Sequence, residues 1–360
     1  MLRRLLSHDL PKSRLLALVL IAIVVALALT PFLFPGTKAL NVAAKVIVFI
    51  VLAASFDLLL GYTGIVSFAH TMFFGIGAYG VAIASARLGP TWPALALGVA
   101  AALAASLVLS FVIGLFSLRV RAIFFAMITL AVASAFATLA SQLSEFTGGE
   151  DGLTFKVPEA LQPSTSYAAE PFLGAVVDGR LLTYYLIFAV AMVLVLTLLR
   201  IVNSPFGRVL QAIRENDFRA EAIGYRTVVY RTIASVVSAL FATLAGVLLA
   251  LWLRYNGPDT TLSFEIMLDV LLIVVIGGMG TIYGAIIGSV LLVLAQNYLQ
   301  DLMKVAAVVV QDVPLLGQVV APERWLLWLG ILFVLSVYFF PSGVVGRLRA
   351  AGRPKSTPMP

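Results

Sequence analysis

Residues 203–231, NSPFGRVLQAIRENDFRAEAIGYRTVVYR, form a strongly charged segment in a chain that is 61% hydrophobic overall. Apolar runs too long for a soluble core flank this segment on both sides. At helical spacing its apolar residues fall near one another, and its charged side chains occupy the remaining face. The apolar set is Val209, Ala212, Ile213, Ala220, Ile223 and Gly224. The pattern predicts short amphipathic helices at a membrane surface, with a charged face that a partner binds.

The composition of the whole chain indicates a protein of the lipid bilayer. Of its 360 residues only 11% are charged, whereas about a quarter are charged in soluble domains. In lipid, only helices and closed barrels satisfy every backbone polar group, and the apolar runs here are continuous rather than alternating. We therefore predict an all-α, polytopic integral membrane protein.

The chain has few residues suited to metal, disulfide or nucleotide chemistry. It has no cysteine and two histidines, too few for a thiolate or histidine-ligated metal centre. It also lacks the G-x-x-x-x-G-K-[ST] loop that cradles ATP phosphates. We expect no metal and no cofactor bound by this chain.

The apolar runs predict about ten transmembrane or re-entrant helices, with roughly 8–10 plausible, because a hydrocarbon core takes about 20 apolar residues per helix. The predicted spans are 15–34, 40–60, 65–86, 93–117, 122–141, 181–201, 231–252, 266–277, 278–300 and 324–341. Glycines interrupt the 266–300 stretch, which we expect to form two short spans or a re-entrant pair. The first span also resembles a secretory signal, with Ala26-Leu27-Ala28 as a small-residue cleavage site.

Loop charges predict the orientation, since short loops rich in Lys and Arg stay cytoplasmic. The basic segments are the N-terminus (1–14), the 118–121 turn, the 203–231 loop and the tail (342–360). The 142–180 loop is acidic. We predict a single transmembrane domain over 15–341, both termini cytoplasmic, and 142–180 outside. The net charge of +7 is then a topology signal and does not indicate nucleic-acid binding.

Four ionisable residues interrupt the apolar runs, where such groups are costly. We interpret Lys45 as a side chain that snorkels to the outer surface, and Asp57 as an interface group near the cytoplasmic end. Glu265 and Asp269 are interpreted as solvated residues at the outer entrance of their span. The chain shows no stacked relay of ionisable groups at mid-depth, which disfavours a proton- or sodium-coupled carrier.

The run GYTGIVSFAHTMFFGIGAY at 61–79 is rich in glycine and polar residues. Glycine in a membrane helix permits a break that leaves backbone groups for a polar substrate, or alternatively close helix packing. GGMGT at 277–281 is a second such stretch, in the other half of the chain. The predicted substrate-pathway residues are Gly61, Thr63, Gly64, Ser67, His70, Phe73, Phe74, Tyr79, Gly277, Gly278 and Gly280. Hydrolysis by Ser67 and His70 is disfavoured because no carboxylate orients the histidine and no G-x-S-x-G elbow surrounds the serine.

Five motifs in this order resemble the membrane permease of ABC importers for branched-chain amino acids. They are the 61–79 run, LRVRAIFFAMITLA (118–131), TGGEDGL (147–153), SPFGRVLQAIRENDFRAEAIG (204–224) and IGGMGTIYGAIIG (276–288). The third motif is similar to the TGG-x-DG element of one of the two permeases in such importers. Its residues here are Thr147, Gly148, Gly149, Asp151 and Gly152.

The resemblance implies a multi-pass subunit of a bacterial inner-membrane complex. Its partners would be a second related permease, two cytoplasmic ATPase subunits that hold ATP and Mg, and an extracytoplasmic substrate-binding protein. It also implies that residues 203–226, the coupling segment, dock on the ATPase. The coupling residues by this resemblance are Gly207, Arg208, Arg214, Glu215, Asp217, Glu221 and Gly224.

The expected function is inward, ATP-driven transport of branched-chain or related hydrophobic amino acids by a subunit that is not itself an enzyme. Similar permeases carry urea, short amides or aromatic amino acids, so these substrates stay open. An ion-coupled secondary transporter and an intramembrane enzyme are the other classes, and the missing relay and the missing catalytic elbow disfavour them.

Overall fold

A computed structural model of the chain describes residues 13–34, 36–117, 122–167, 176–310, 321–340 and 342–351. Helices dominate this part of the chain. In chain order they are α1 (Arg14–Leu33), α2 (Thr37–Thr63), α3 (His70–Leu88), α4 (Trp92–Ser117), α5 (Ala122–Gln142), α6 (Ser144–Thr147), α7 (Gly179–Asn203), α8 (Pro205–Glu215), α9 (Asp217–Ala222), α10 (Thr227–Leu253), α11 (Pro258–Thr261), α12 (Phe264–Gly277), α13 (Ile282–Val310), α14 (Trp325–Phe339) and α15 (Gly343–Ala351).

Nine candidate spans within the described residues are long and apolar enough to cross a membrane, one of them running from Pro258 through α11 and α12. The prediction of an all-α polytopic protein is confirmed. Helix α14 has 15 residues and rises about 22 Å, shorter than a hydrocarbon core of about 30 Å. The extended strands among the described residues are β1 (Leu153–Thr154) and β2 (Tyr255–Asn256), which pair antiparallel.

Helix α2 forms the centre of the bundle, since 94% of its most apolar window is buried. It packs against α10, α13, α7 and α12, and α10 also packs against α3 and α4. Helices α1, α4 and α5 are far less buried, so their apolar side chains face outward, as lipid requires. Because α2 is central, segments that are far apart in the sequence meet at each of its two ends.

The 266–300 stretch forms a helical hairpin. Its second helix, α13, is longer than the short span that was predicted. Helix α12 ends at Gly277, a turn at 278–281 follows, and α13 continues to Val310, ten residues beyond the predicted end. A Cβ on Gly277 would overlap the backbone of Gly284, and one on Gly288 would overlap the backbone of Ile273. The glycines therefore allow the two helices to pack with their backbones in contact.

The predicted span 65–86 begins five residues too early, because α3 starts at His70. Gly64 ends α2 in a left-handed conformation, φ 74°, and its backbone N–H bonds to the carbonyl of Leu59. This helix end is typical of glycine. Residues 64–69 are then a non-helical break between α2 and α3, in agreement with the break predicted from the glycines.

The segments that were predicted to share a membrane side lie at the same end of the bundle. The hydroxyl of Ser13 donates to the carbonyl of Leu348 at 3.2 Å, and Arg214 donates to the carbonyl of Gly61. At the opposite end, β1 of the 142–180 loop pairs with β2 after α10. Residues 1–12, 118–121 and 352–360, which carry part of the predicted basic set, lie outside the described residues, and the cytoplasmic side stays a prediction.

Candidate functional site

The coupling segment and both glycine breaks meet at one point, which we call the junction: Asp57, Gly61, Gly64, Arg214 and Gly280. The guanidinium of Arg214, on α8, donates a hydrogen bond from Nη1 to the carbonyl of Gly61 near the end of α2. The backbone N–H of Gly280 donates to Oδ1 of Asp57 at 2.8 Å. The junction therefore connects α8, α2 and the α12–α13 turn.

Glycine is required at the junction for two reasons. A Cβ on Gly61 would overlap the carboxyl group of Asp57 and the backbone of Gly280. Gly64 and Gly280 adopt φ values of 74° and 80°, a left-handed region that costs other residues roughly 1–2 kcal/mol. The glycines thus permit both the sharp chain reversals and the contact between them.

Asp57 differs from its interpretation as a partly solvated interface group, because its side chain is 0% exposed. The α12–α13 turn covers its carboxyl group, and the positive charge of Arg214 acts on it. A buried carboxyl group needs such partners. The contacts of Asp57 with the turn and of Arg214 with Gly61 therefore hold the junction together.

The coupling segment consists of two short helices with a capped break between them. Ser204 accepts from the N–H of Gly207 at 3.5 Å at the start of α8, and Asn216 accepts from the N–H of Arg219 at 2.9 Å at the start of α9. Side-chain acceptors at these positions are typical N-caps. The predicted amphipathic helices are present, and Ile213 and Ala220 of the predicted apolar set are buried, but the rest of that set is not. The buried positions are Gly207, Leu210, Ile213 and Ala220, whereas Ile223 and Gly224 are exposed.

The acidic residues of the coupling segment divide into two groups. Asp217 forms an ion pair with Arg231 at 2.9 Å, and Glu221 accepts from the hydroxyl of Thr227 at 2.6 Å. Both carboxylates therefore bind the segment to the start of α10.

Arg208 and Glu215 are exposed. Two apolar side chains are also exposed, Phe218 at 83% and Ile223 at 69%.

The predicted pathway residues of the first break are packed inside the chain. Thr63, Ser67 and His70 are buried, as are the aromatic residues Phe73, Phe74 and Tyr79. The ring of His70 lies 2.8 Å from the hydroxyl of Ser55, measured from Nε2, and packs edge-on against Phe56. The second break is also tightly packed, since a Cβ on Gly278 would lie 3.0 Å from the carbonyl of Ser342. A pathway through these residues stays a prediction.

Close helix packing, the alternative interpretation of the 61–79 glycines, is present beside the first break. A Cβ on Gly77 would overlap the carbonyl of Thr243 on α10. Reciprocally, a Cβ on Gly246 would overlap the carbonyl of Phe74 on α3. The two glycines let α3 and α10 approach closely, in the manner of small-residue interfaces in membranes.

The TGGEDGL motif forms a tight turn at the end of the bundle opposite the coupling segment. Gly148, Gly149 and Gly152 have φ values of 77°, 65° and 69°. The hydroxyl of Thr147 donates to the carbonyl of Leu143 at 2.7 Å and accepts from the N–H of Gly149 at 3.2 Å.

This turn is held to the chain that follows α10. The hydroxyl of Tyr255 donates to the carbonyl of Asp151 at 3.0 Å, and β1 pairs with β2 directly after Gly152. The motif residues therefore connect the 142–167 loop to the chain that follows α10.

Comparison with known proteins identifies the family. Residues 38–337 match the model of the branched-chain amino acid transport system / permease component family. The chain belongs to this family. It is 26% identical over 359 residues to the high-affinity branched-chain amino acid transport system permease protein LivM of Salmonella typhimurium, covering 96% of this chain and 78% of that protein. LivM of Escherichia coli is 26% identical over 347 residues, covering 92% of this chain and 75% of that protein. No solved structure matches the chain.

The permease also contains a cavity of about 650 Å³ at the end opposite the coupling segment. Its walls come from the first half of α2, the end of α10, residues 259–269 and α13. The lining residues are Thr37, Lys38, Asn41, Val42, Lys45, Phe49, Leu249, Trp252, Leu253, Asp259, Thr260, Ser263, Glu265, Ile266, Asp269 and Asn297. None of the residues predicted to line a pathway is among them.

The sequence contained a signal for this cavity that our interpretation missed. Lys45, Glu265 and Asp269 interrupt apolar runs, which in membrane proteins marks functional sites. Each was interpreted separately, as a snorkelling or solvated side chain. The structure brings the three together in one cavity, because α12 folds back beside α2. The pairing of these two helices could not be inferred from the spacing within either one.

Proposed function

We propose that this chain is the permease subunit of an ATP-driven ABC importer that moves branched-chain or related hydrophobic amino acids inward. Family membership and the transport function named for the LivM relatives support the substrate class. The single structural observation that supports the mechanism is the hydrogen bond from Arg214 to Gly61. Through it, a movement of the coupling segment acts directly on the end of the central helix.

The proposed complex has the partners that the resemblance implies. A second related permease completes the translocation path, two cytoplasmic ATPase subunits bind ATP and Mg, and an extracytoplasmic binding protein delivers substrate. In this proposal the chain is a multi-pass protein of the bacterial inner membrane with both termini cytoplasmic. It binds no cofactor and catalyses no reaction itself.

The proposed docking face consists of the exposed residues of α8 and α9. Phe218 is the most exposed large apolar side chain among the described residues, at 83%. A protruding aromatic residue surrounded by charges is typical of an interface anchor. Arg208, Arg219 and Glu215 are exposed nearby on the same two helices and supply charges that orient the contact. Asp217 and Glu221, which bond within the chain, instead hold the face in position.

The reconstituted complex tests this proposal. All four kinds of subunit would be assembled in proteoliposomes, and uptake of radiolabelled leucine would be measured with and without ATP. We expect uptake that requires ATP and the loaded binding protein, and co-purification of the ATPase that is lost when residues 203–226 are replaced by a flexible linker of equal length. Uptake driven by an ion gradient without ATP would contradict the proposal. Uptake of urea or a short amide instead of leucine would change only the substrate.

A further inference from the structure

The cavity between α2, α10 and α12 has the size and shape of a site for one small ligand. Ligand pockets in proteins measure about 300–1,000 Å³, and this cavity measures about 650 Å³. It extends along α2 from Thr37 to Phe49, which at about 1.5 Å per residue is roughly 18 Å. The cavity therefore reaches from one end of the bundle well into the span.

Lys45 supplies a cation inside this cavity. Its ammonium group lies 5.2 Å from the centre of the Phe49 ring, one turn along α2. In the described part of the chain no carboxylate lies within ion-pair distance of it. Lys38, at the rim, is different because it forms an ion pair with Asp301. Lys45 is thus a half-buried cation beside an aromatic ring, with no ion-pair partner among the described residues, an arrangement that favours an anionic ligand group.

Asp269 supplies a carboxyl group to the same cavity. Its Oδ1 accepts from the side-chain amide of Gln296 at 2.7 Å, which fixes the orientation of the carboxyl group. Glu265 lies one helical turn before it on α12 and lines the same cavity. The charges of Lys45 and Glu265 both act on Asp269, yet Lys45 and Asp269 do not form an ion pair. Both side chains line the same cavity, where a ligand can meet the two opposite charges.

The lining also has an apolar wall, beside polar residues that include Asp259, Thr260 and Ser263. Val42, Leu249, Trp252 and Ile266 provide an aliphatic and aromatic wall. Asn41 accepts from Arg180 at 2.8 Å and from the indole of Trp252 at 3.2 Å. These bonds hold the tryptophan ring in place, so the wall is formed before a ligand arrives. Such preorganisation lowers the cost of binding.

We propose that this cavity is a transit binding site for a zwitterionic α-amino acid with an apolar side chain. The carboxylate of the ligand binds Lys45, its ammonium group binds Asp269 with Glu265 nearby, and its side chain lies against the wall formed by Val42, Trp252 and Ile266. The proposal rests on the proposed function and locates on this chain a step of the same transport. It predicts that the permease itself selects for both charged groups of the substrate, in addition to the binding protein.

Two isosteric substitutions test the site in the assembled complex of permeases and ATPases. Lys45→Met removes the cation and keeps the length of the side chain. Asp269→Asn keeps the acceptor for Gln296 and removes the negative charge. Lys304→Met is the matched control, because Lys304 pairs with Asp301 at 3.3 Å and does not line the cavity. Equilibrium binding of radiolabelled L-leucine would be measured in detergent without the binding protein.

We expect saturable leucine binding that weakens about tenfold or more in each cavity variant, the effect of losing roughly one charge-assisted contact, and does not change in Lys304→Met. Isoamylamine and 4-methylpentanoate, which each lack one charged group, should compete at least tenfold more weakly than leucine. Absence of leucine binding by the intact complex, or equal binding by the variants, would overturn the inference. ATP-driven leucine uptake by the same complex, reconstituted in proteoliposomes with the binding protein, reports on the proposed function separately, since failure of the site alone leaves that uptake intact.

Discussion

The N–H of Gly280 donates a hydrogen bond to the carboxyl group of Asp57 at 2.8 Å, and this bond joins the central helix to the turn of a hairpin 223 residues later in the chain. The same turn lies against the carbonyl of Gly61, which accepts from Arg214. A docked partner on the coupling segment would therefore act on two glycine breaks through one side chain. In the proposed importer, the junction is where a movement of the coupling segment would reach the two glycine breaks.

Loss of the Asp57 acceptor should destabilise the protein. Asp57→Ala leaves the partly buried N–H of Gly280 without its partner, which costs about 1 kcal/mol. Asp57→Asn keeps an acceptor oxygen and should cost less. Thermal unfolding of the protein in detergent measures the difference. Asp301→Ala, an exposed carboxylate in surface ion pairs, is the control and should change stability little. Equal unfolding temperatures for the Ala and Asn variants would show that the bond to Gly280 is unimportant.

Removal of Arg214 should uncouple ATP hydrolysis from transport. Arg214→Ala deletes the bond to Gly61 but leaves the buried face of α8, so the ATPase still docks and still responds to loaded binding protein. We expect leucine uptake to fall about tenfold or more per ATP hydrolysed, corresponding to the loss of one charged hydrogen bond. The measurement is the ratio of leucine transported to phosphate released in proteoliposomes. Lys304→Ala, an exposed cation outside the coupling segment, is the control for loss of positive charge, and an unchanged ratio in Arg214→Ala would assign Arg214 to surface charge alone.

The sequence predicted most of the fold because the bilayer imposes simple rules. Run length located the spans, and glycine located both breaks, since few other residues tolerate the left-handed backbone seen at Gly64 and Gly280. The sequence did not reveal which span is central. Helix α2 resembles its neighbours in composition, and only its contacts show that Asp57 is buried while Asp269 faces a cavity. The role of a charged residue in a membrane helix depends on the neighbouring helix, which local periodicity does not specify.

Phe218 should anchor the ATPase. Its side chain is 83% exposed on a helix of six residues, and truncation of a central aromatic anchor costs about 2 kcal/mol or more of binding free energy. Phe218→Ala should therefore weaken co-purification of the ATPase about 30-fold, without changing membrane insertion. Phe111→Ala, an exposed aromatic residue on α4 at 51%, controls for general loss of apolar surface. Normal co-purification with Phe218→Ala would indicate that the charged residues of α8, and not Phe218, make the contact with the ATPase.

Cysteine accessibility tests the orientation. The chain has no cysteine of its own, so single cysteines report cleanly. Ser164 and Ala222 are both exposed and lie at opposite ends of the bundle. Because basic loops stay cytoplasmic, a membrane-impermeant maleimide added to intact cells should label Ser164→Cys and not Ala222→Cys. Both should be labelled after permeabilisation. Labelling of Ala222→Cys alone in intact cells would show that the topology is the reverse of the predicted one. It would also contradict the proposed docking face.

Substitutions at Gly64 test whether this position requires a left-handed backbone or requires the absence of a side chain. A leucine at Gly64 must adopt φ 74°, at a cost of roughly 1–2 kcal/mol, and its Cβ would lie 3.3 Å from Cγ of Arg214. Asparagine tolerates the left-handed region several-fold better, although its side chain has the same number and branching of heavy atoms as that of leucine. If the backbone matters, Gly64→Leu should lose most leucine uptake and Gly64→Asn should retain much of it. Gly36→Ala, at a helix start with open space around its Cβ, is the control for a harmless glycine change. Equal loss in the Leu and Asn variants would instead indicate that bulk at this position blocks a pathway, which would support the predicted route along the first break.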